Sequence, residues 1–197
     1  MFGTTTRAQY FRIANGQIIT GQGDNQQTGD FLEGVVTGIS RRTIDSKTQK
    51  DAKGNPIKVV IYDLDLEDGG ETYRLNLMAS QSATRDIIRC LVNVENLKAG
   101  KIKIRVWATA NPANADRPYT NASVQFNGQK VQWAELPKIN KISLPNGSVV
   151  PDTRAVDAKV EDYVNLISAR LTSVAAEPVA PVDNYEEDLP PMEEVDY

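Results

Sequence analysis

Residues Val59 to Met78 read VVIYDLDLEDGGETYRLNLM, two alternating runs either side of Gly69-Gly70. A two-residue turn of that kind accepts φ > 0 at both positions and matches the twist of a β-hairpin. Counting outward, Leu66 faces Tyr73, Leu64 faces Leu75 and Tyr62 faces Leu77, a wholly apolar or aromatic face that must be core. On the other face Asp65 lies across from Arg74 and Asp63 across from Asn76. Cross-strand pairing therefore accounts for acids that would otherwise suggest a metal site. A second hairpin turns at Asn127-Gly128, with Val124 facing Val131, Gln125 facing Lys130 and Ala122 facing Trp133; this register predicts Trp133 in the core.

Working outward, Phe31 to Ser40 is strand-like, and Gly34 and Gly38 inside it suit a strongly bent strand. Arg41 to Pro56 reads as a basic loop carrying Arg41, Arg42, Lys47, Lys50 and Lys53. Ser80 to Asn96 has helical apolar spacing at Ile87, Ile88, Leu91 and Val92. That stripe buries Cys90 as a structural thiol, and Arg85 and Arg89 are expected only to solubilise the helix. Lys101 to Thr109 alternates strictly: Ile102, Ile104, Val106 and Ala108 point one way, Lys101, Lys103, Arg105 and Trp107 the other. A last helix is predicted over Asp152 to Thr172, its stripe being Val156, Val160, Tyr163, Val164 and Ile167. The expected organisation is an N-terminal arm or hairpin (1–30), a barrel (31–150), a C-terminal helix (151–173) and an acidic tail (174–197).

Composition narrows the chemistry. The 197 residues include no histidine and one cysteine. The commonest general base and metal ligand is thus absent, and no internal disulfide can form. No glycine pattern fits a phosphate-cradling loop, no apolar run is long enough for a membrane helix, and no leader is evident. No catalytic residue, metal or cofactor is expected. Charge is segregated: Glu177 to Tyr197 holds eight of the 26 acids and no base, leaving 18 acids against all 22 bases in the body. A weakly basic domain is thus joined to an acidic, Pro-punctuated peptide that cannot bury enough apolar surface to fold alone.

Strand, basic loop, two-stranded hairpin, helix, strand and final hairpin is the element order of the OB-fold, a five-stranded Greek-key barrel that binds oligonucleotides across one face and with its long loops. The predicted fold is mainly β, an OB-fold-like five-stranded Greek-key barrel with one helix between strands 3 and 4, an extra C-terminal helix and a disordered acidic tail.

The chain resembles the phage-type single-stranded DNA-binding proteins over roughly residues 30 to 136 and in its tail. The resembling stretches are Glu33 to Ile39, Tyr62 to Leu66 with Tyr73 to Leu77, Cys90 to Val92, and Val124 to Val131. The resemblance implies sequence-tolerant binding of single strands during DNA replication and recombination. It also implies an acidic tail that masks the groove and docks partner proteins. Unlike the bacterial tails, which close on Ile-Pro-Phe, this one places Leu189-Pro190-Pro191 earlier and ends on Tyr197.

A single-strand binder needs cations spaced along phosphates and exposed aromatic faces for bases. The residues that meet the need are Lys101, Lys103, Arg105 and Trp107 on the strand, and Arg41, Arg42, Lys47, Lys50 and Lys53 in the loop. The tail residues expected to recruit replication or recombination proteins are Glu186, Glu187, Asp188, Glu193, Glu194, Asp196 and Tyr197. No membrane partner is expected, the location is cytoplasmic (that of a bacterial host if phage-encoded), and homo-oligomer formation is left open. Three other readings compete: a virion or other structural assembly protein, a Mg-dependent nuclease using Asp63, Asp65, Glu67 and Asp68, and a DNA-mimicking inhibitor, against which the basic body argues.

Overall fold

The computed structural model describes residues 8–112, 114, 118–143 and 147–173. The acidic tail, with Glu186, Glu187, Asp188, Glu193, Glu194, Asp196 and Tyr197, lies outside the described residues.

The fold is mainly β. Its strands are β1 (Gln9–Ala14), β2 (Gln17–Thr20), β3 (Gln27–Gly29), β4 (Phe31–Lys50), β5 (Pro56–Asp68), β6 (Glu71–Met78), β7 (Ile102–Thr109), β8 (Tyr119–Phe126), β9 (Gln129–Lys130), β10 (Asn140–Ser143) and β11 (Val149–Asp152). The helices are α1 (Ser82–Leu91) and α2 (Arg154–Ser173). Nine strands form one mixed sheet in the order β3-β2-β1-β6-β5-β4-β7-β8-β9, while β10 and β11 pair separately.

The β5–β6 hairpin has the register its alternation predicts, Leu66 opposite Tyr73, Leu64 opposite Leu75 and Tyr62 opposite Leu77. Gly69 and Gly70 both have positive φ. Asp65 receives both Nε and Nη2 of Arg74, at 2.7 and 2.9 Å. The inner faces of β4 to β8 meet α1 in one core that includes Leu64, Leu75, Ile87, Leu91, Ile104 and Val124. α2 closes it from outside with Val156, Val160, Val164, Ile167 and Leu171. Its Arg170 donates to the carbonyl of Val92 at 2.6 Å. Cys90 is fully buried there, and burial pushes its thiol up to about 11.

A closed five-stranded barrel is not seen, because β6 and β8 do not pair. The outer edge of β6 takes β1 in parallel, Phe11 opposite Leu75. Residues 9–20 are thus a hairpin built into the main sheet. The edge of β8 is met instead by α1: Ser82 donates its hydroxyl to the carbonyl of Thr120 at 2.5 Å, and Asp86 accepts the amide of Ala122 at 3.4 Å. Burial in that position pushes the Asp86 carboxyl up. The turn between β1 and β2 tucks against β7. A Cβ on Gly16 would lie 2.2 Å from the amide nitrogen of Ala108, so this approach requires glycine.

Three local expectations are corrected. Arg41 to Pro56 is no loop: β4 and β5 continue as a ribbon, with Thr43 opposite Val60, Ile44 opposite Val59 and Asp45 opposite Lys58. Backbone pairing and an opposite-charge pair favour extension here although the composition is polar. At the tip, Asp51 accepts the amides of Lys53 and Asn55, both at 2.8 Å; these bonds, that of Asn55 foremost, lower its carboxyl pKa.

Trp133 is not core but 49% exposed. Gln125 does face Lys130, and the amide of Val131 still reaches the carbonyl of Val124 at 2.9 Å. Beyond that point helix α1 takes over the backbone: the Ala134 amide donates to the carbonyl of Arg89 at 3.0 Å, and Arg89 Nε donates to the carbonyl of Ala134 at 2.6 Å. The arginines of α1 accordingly do more than solubilise it, since Arg85 also reaches Asp157 of α2 at 3.0 Å.

Candidate nucleic-acid interface

Alternation along β7 puts Ile102, Ile104 and Val106 in the core and leaves Lys101, Arg105 and Trp107 exposed, with Lys103 half-buried. Pairing brings two aromatic rings from neighbouring strands onto this face. Phe31 of β4 stands opposite Arg105, and Tyr119 of β8 stands opposite Thr109, two residues beyond the pair Trp107 and Asn121. Phe31, Trp107 and Tyr119 are 51%, 41% and 49% exposed. They form a diagonal across three neighbouring strands, with successive diagonal neighbours about 7–8 Å apart. The alternation of Leu32, Gly34 and Val36 toward the core already implied that Phe31 faces out. Tyr119 shares the outward parity of Asn121 and Ser123, opposite to Ala122 and Val124, but the sequence did not show that β8 reaches back to it.

The cations differ in how they are held. Lys101 pairs with Asp68 at 2.5 Å and Lys103 with Glu33 at 3.0 Å; the Lys103 ammonium also sits 4.1 Å from the centre of the Phe31 ring. The bond to Asp68 raises the Lys101 pKa, so the lysine stays charged. Exposed pairs of this kind are worth about 0–1 kcal/mol, little enough for a phosphate to displace the carboxylate. Arg105 has no ion pair or side-chain hydrogen bond among the described residues. It lines a groove of about 510 Å³ beside Trp107, bounded by Gly16, Gln17, Asp30 and Gln125.

The remaining candidates lie elsewhere. Arg41 and Arg42 lie roughly 35 Å along β4 from Phe31, at about 3.3 Å per residue. Arg41 is tied to Glu161 of α2 at 3.2 Å. Arg42 donates twice to Asp63, at 2.6 and 3.2 Å, and Asn76 joins the same carboxylate at 2.6 Å. Asp63 is 4% exposed; removing Arg42 would leave a buried carboxylate short of its cation, so Arg42 is committed to structure. Lys47, Lys50 and Lys53 on the ribbon are exposed and carry no side-chain ion pair among the described residues. The nine candidates thus separate into an aromatic and basic face at one end of β4, a lysine ribbon at the other, and two arginines held by acids. Asp63 and Asp65, the first two carboxylates of the nuclease reading, are both occupied by arginine.

No protein-family model, curated protein or solved structure matches this chain. No helix among the described residues is long and apolar enough to cross a membrane.

Proposed function

We propose that this chain binds single-stranded DNA on the outer face of β4, β7 and β8, as a non-enzymatic partner of replication or recombination proteins. The observation that carries the reading is the diagonal of Phe31, Trp107 and Tyr119 beside Arg105, which has no ion pair among the described residues. Stacking on aromatic rings contributes roughly 1–3 kcal/mol per base and accepts any base, and a duplex keeps its base faces covered. The lysine ribbon is a second, sequence-independent phosphate contact. The acidic tail is proposed as an intramolecular competitor that docks partner proteins when DNA displaces it.

The same reading treats β4 to β8 as an opened OB-type barrel. Support comes from the pairings β4–β5, β5–β6, β4–β7 and β7–β8, with β1 and α1 occupying the two edges that closure would join. The test is fluorescence of Trp107 in a Trp133→Phe background, where addition of a dT oligonucleotide should quench the emission. Unchanged emission together with a large stable oligomer and no DNA binding would favour a structural assembly protein instead.

A further inference from the structure

Resting on that reading, we propose that the groove beside Trp107 selects one guanine from an otherwise freely accepted strand. Arg105 and Asp30 both line this groove of about 510 Å³. Asp30 is tied to the fold through its backbone, its carbonyl accepting the amide of Val106 at 3.0 Å. Neither the Asp30 carboxylate nor the Arg105 guanidinium has a partner among the described residues, and they are not paired with each other. A carboxylate is an odd lining for a groove that takes a polyanion, because it repels phosphate. It becomes useful only if the ligand brings N–H donors to it.

A cation and an anion that border one groove without pairing suit a flat ligand with acceptors on one edge and donors on the other. Guanine has that polarity. Its O6 and N7 match the fork of an arginine, and its N1–H and N2–H are two parallel donors for one carboxylate, a charge-assisted bidentate bond. Adenine and cytosine offer that carboxylate one amino donor beside a ring acceptor, and thymine one N–H between two carbonyls. Trp107 supplies the stacking face, and Gln17 and Gln125 line the same groove. The sequence tolerance of the remaining contacts is untouched, since it belongs to the stacking diagonal and the lysines.

The experiment compares the full chain on a labelled dT oligonucleotide, the same oligonucleotide with one central dG, and the same with deoxyinosine, which lacks the N2 amino group. One dG should lower Kd about fivefold or more, the small end of what one bidentate base contact discriminates, and inosine should fall between. Asp30→Asn should bring the dG and dT oligonucleotides to the same affinity. Equal Kd values for dG and dT with the unaltered chain would overturn the proposal while leaving single-strand binding intact. A dG preference that survives both inosine and Asp30→Asn would also overturn it. Failure to bind any of the three would remove the underlying reading.

Discussion

Trp107 and Trp133 are both about half exposed, yet their surroundings differ. Trp107 stands beside Arg105 on a face with two further exposed rings and has no cation over it among the described residues, whereas Trp133 is covered on one side by the Arg89 guanidinium, 5.2 Å from its ring centre. Trp107→Ala should therefore weaken binding of a dT oligonucleotide by about 1–3 kcal/mol and leave the melting temperature nearly unchanged. Trp133→Ala should cost about 0.5–1 kcal/mol of stability, the worth of an exposed cation–π contact, far from the loss of a core aromatic; paired denaturation and binding curves separate the two. Cys90 offers a check on the core itself. Its native thiol titrates above the unfolded one, so the native chain keeps a proton that the unfolded chain releases as pH rises from about 9 to about 11. Its contribution thus lowers stability across that window. At pH 8 a thiol reagent should leave Cys90 unmodified until denaturant is added; prompt labelling of the folded chain would refute its burial.

Among the elements, those legible in the sequence had a period that one strand or helix could carry alone. The Gly69-Gly70 hairpin, the inward face of β7 and the stripe of α2 all followed from spacing and hydrophobicity. Where a backbone had two competing partners, the pattern could not choose. Residues past Lys130 could continue a hairpin or hydrogen-bond to α1, and the carbonyl and side chain of Arg89 decide for the helix. The ribbon beyond Arg41 looked like a loop because the stretch Asp45 to Asn55 is almost wholly polar, and its few apolar positions, Ile44 opposite Val59 and Ile57, are too sparse to show a strand period. Residues Ser46 to Ile57 contribute nothing to the core, so replacing them with Asn-Gly should leave the fold intact. If the ribbon holds phosphates, the salt dependence of DNA binding should become shallower by about 0.7 in log–log slope for each phosphate that is no longer neutralised. An unaltered slope would reduce Lys47, Lys50 and Lys53 to solvated surface.

At the scale of the whole molecule, one sheet curls around a core that two helices complete, and its candidate binding face exists only once β4, β7 and β8 are brought side by side. This is why Trp107 could be singled out from one strand while Tyr119 could not. On the proposed reading the distribution of charge would add regulation: a body with 22 bases and 18 acids carries a tail with eight acids and no base. A tethered segment can reach an effective concentration in the millimolar range, so deletion of Glu177 to Tyr197 should tighten DNA binding, most at low salt where screening is weakest. Equal affinities of the full and shortened chains at low salt would make the tail a solubilising appendage.

The central claim, that the exposed aromatic and basic face takes single strands, is tested most directly by titrating a labelled dT oligonucleotide and a duplex of equal length with the full chain at two salt concentrations. The account predicts tight binding of the single strand that weakens with salt, at a log–log slope of about −0.7 per phosphate neutralised, and much weaker binding of the duplex. Equal affinity for the two, or no binding of the single strand at the lower salt, would contradict it.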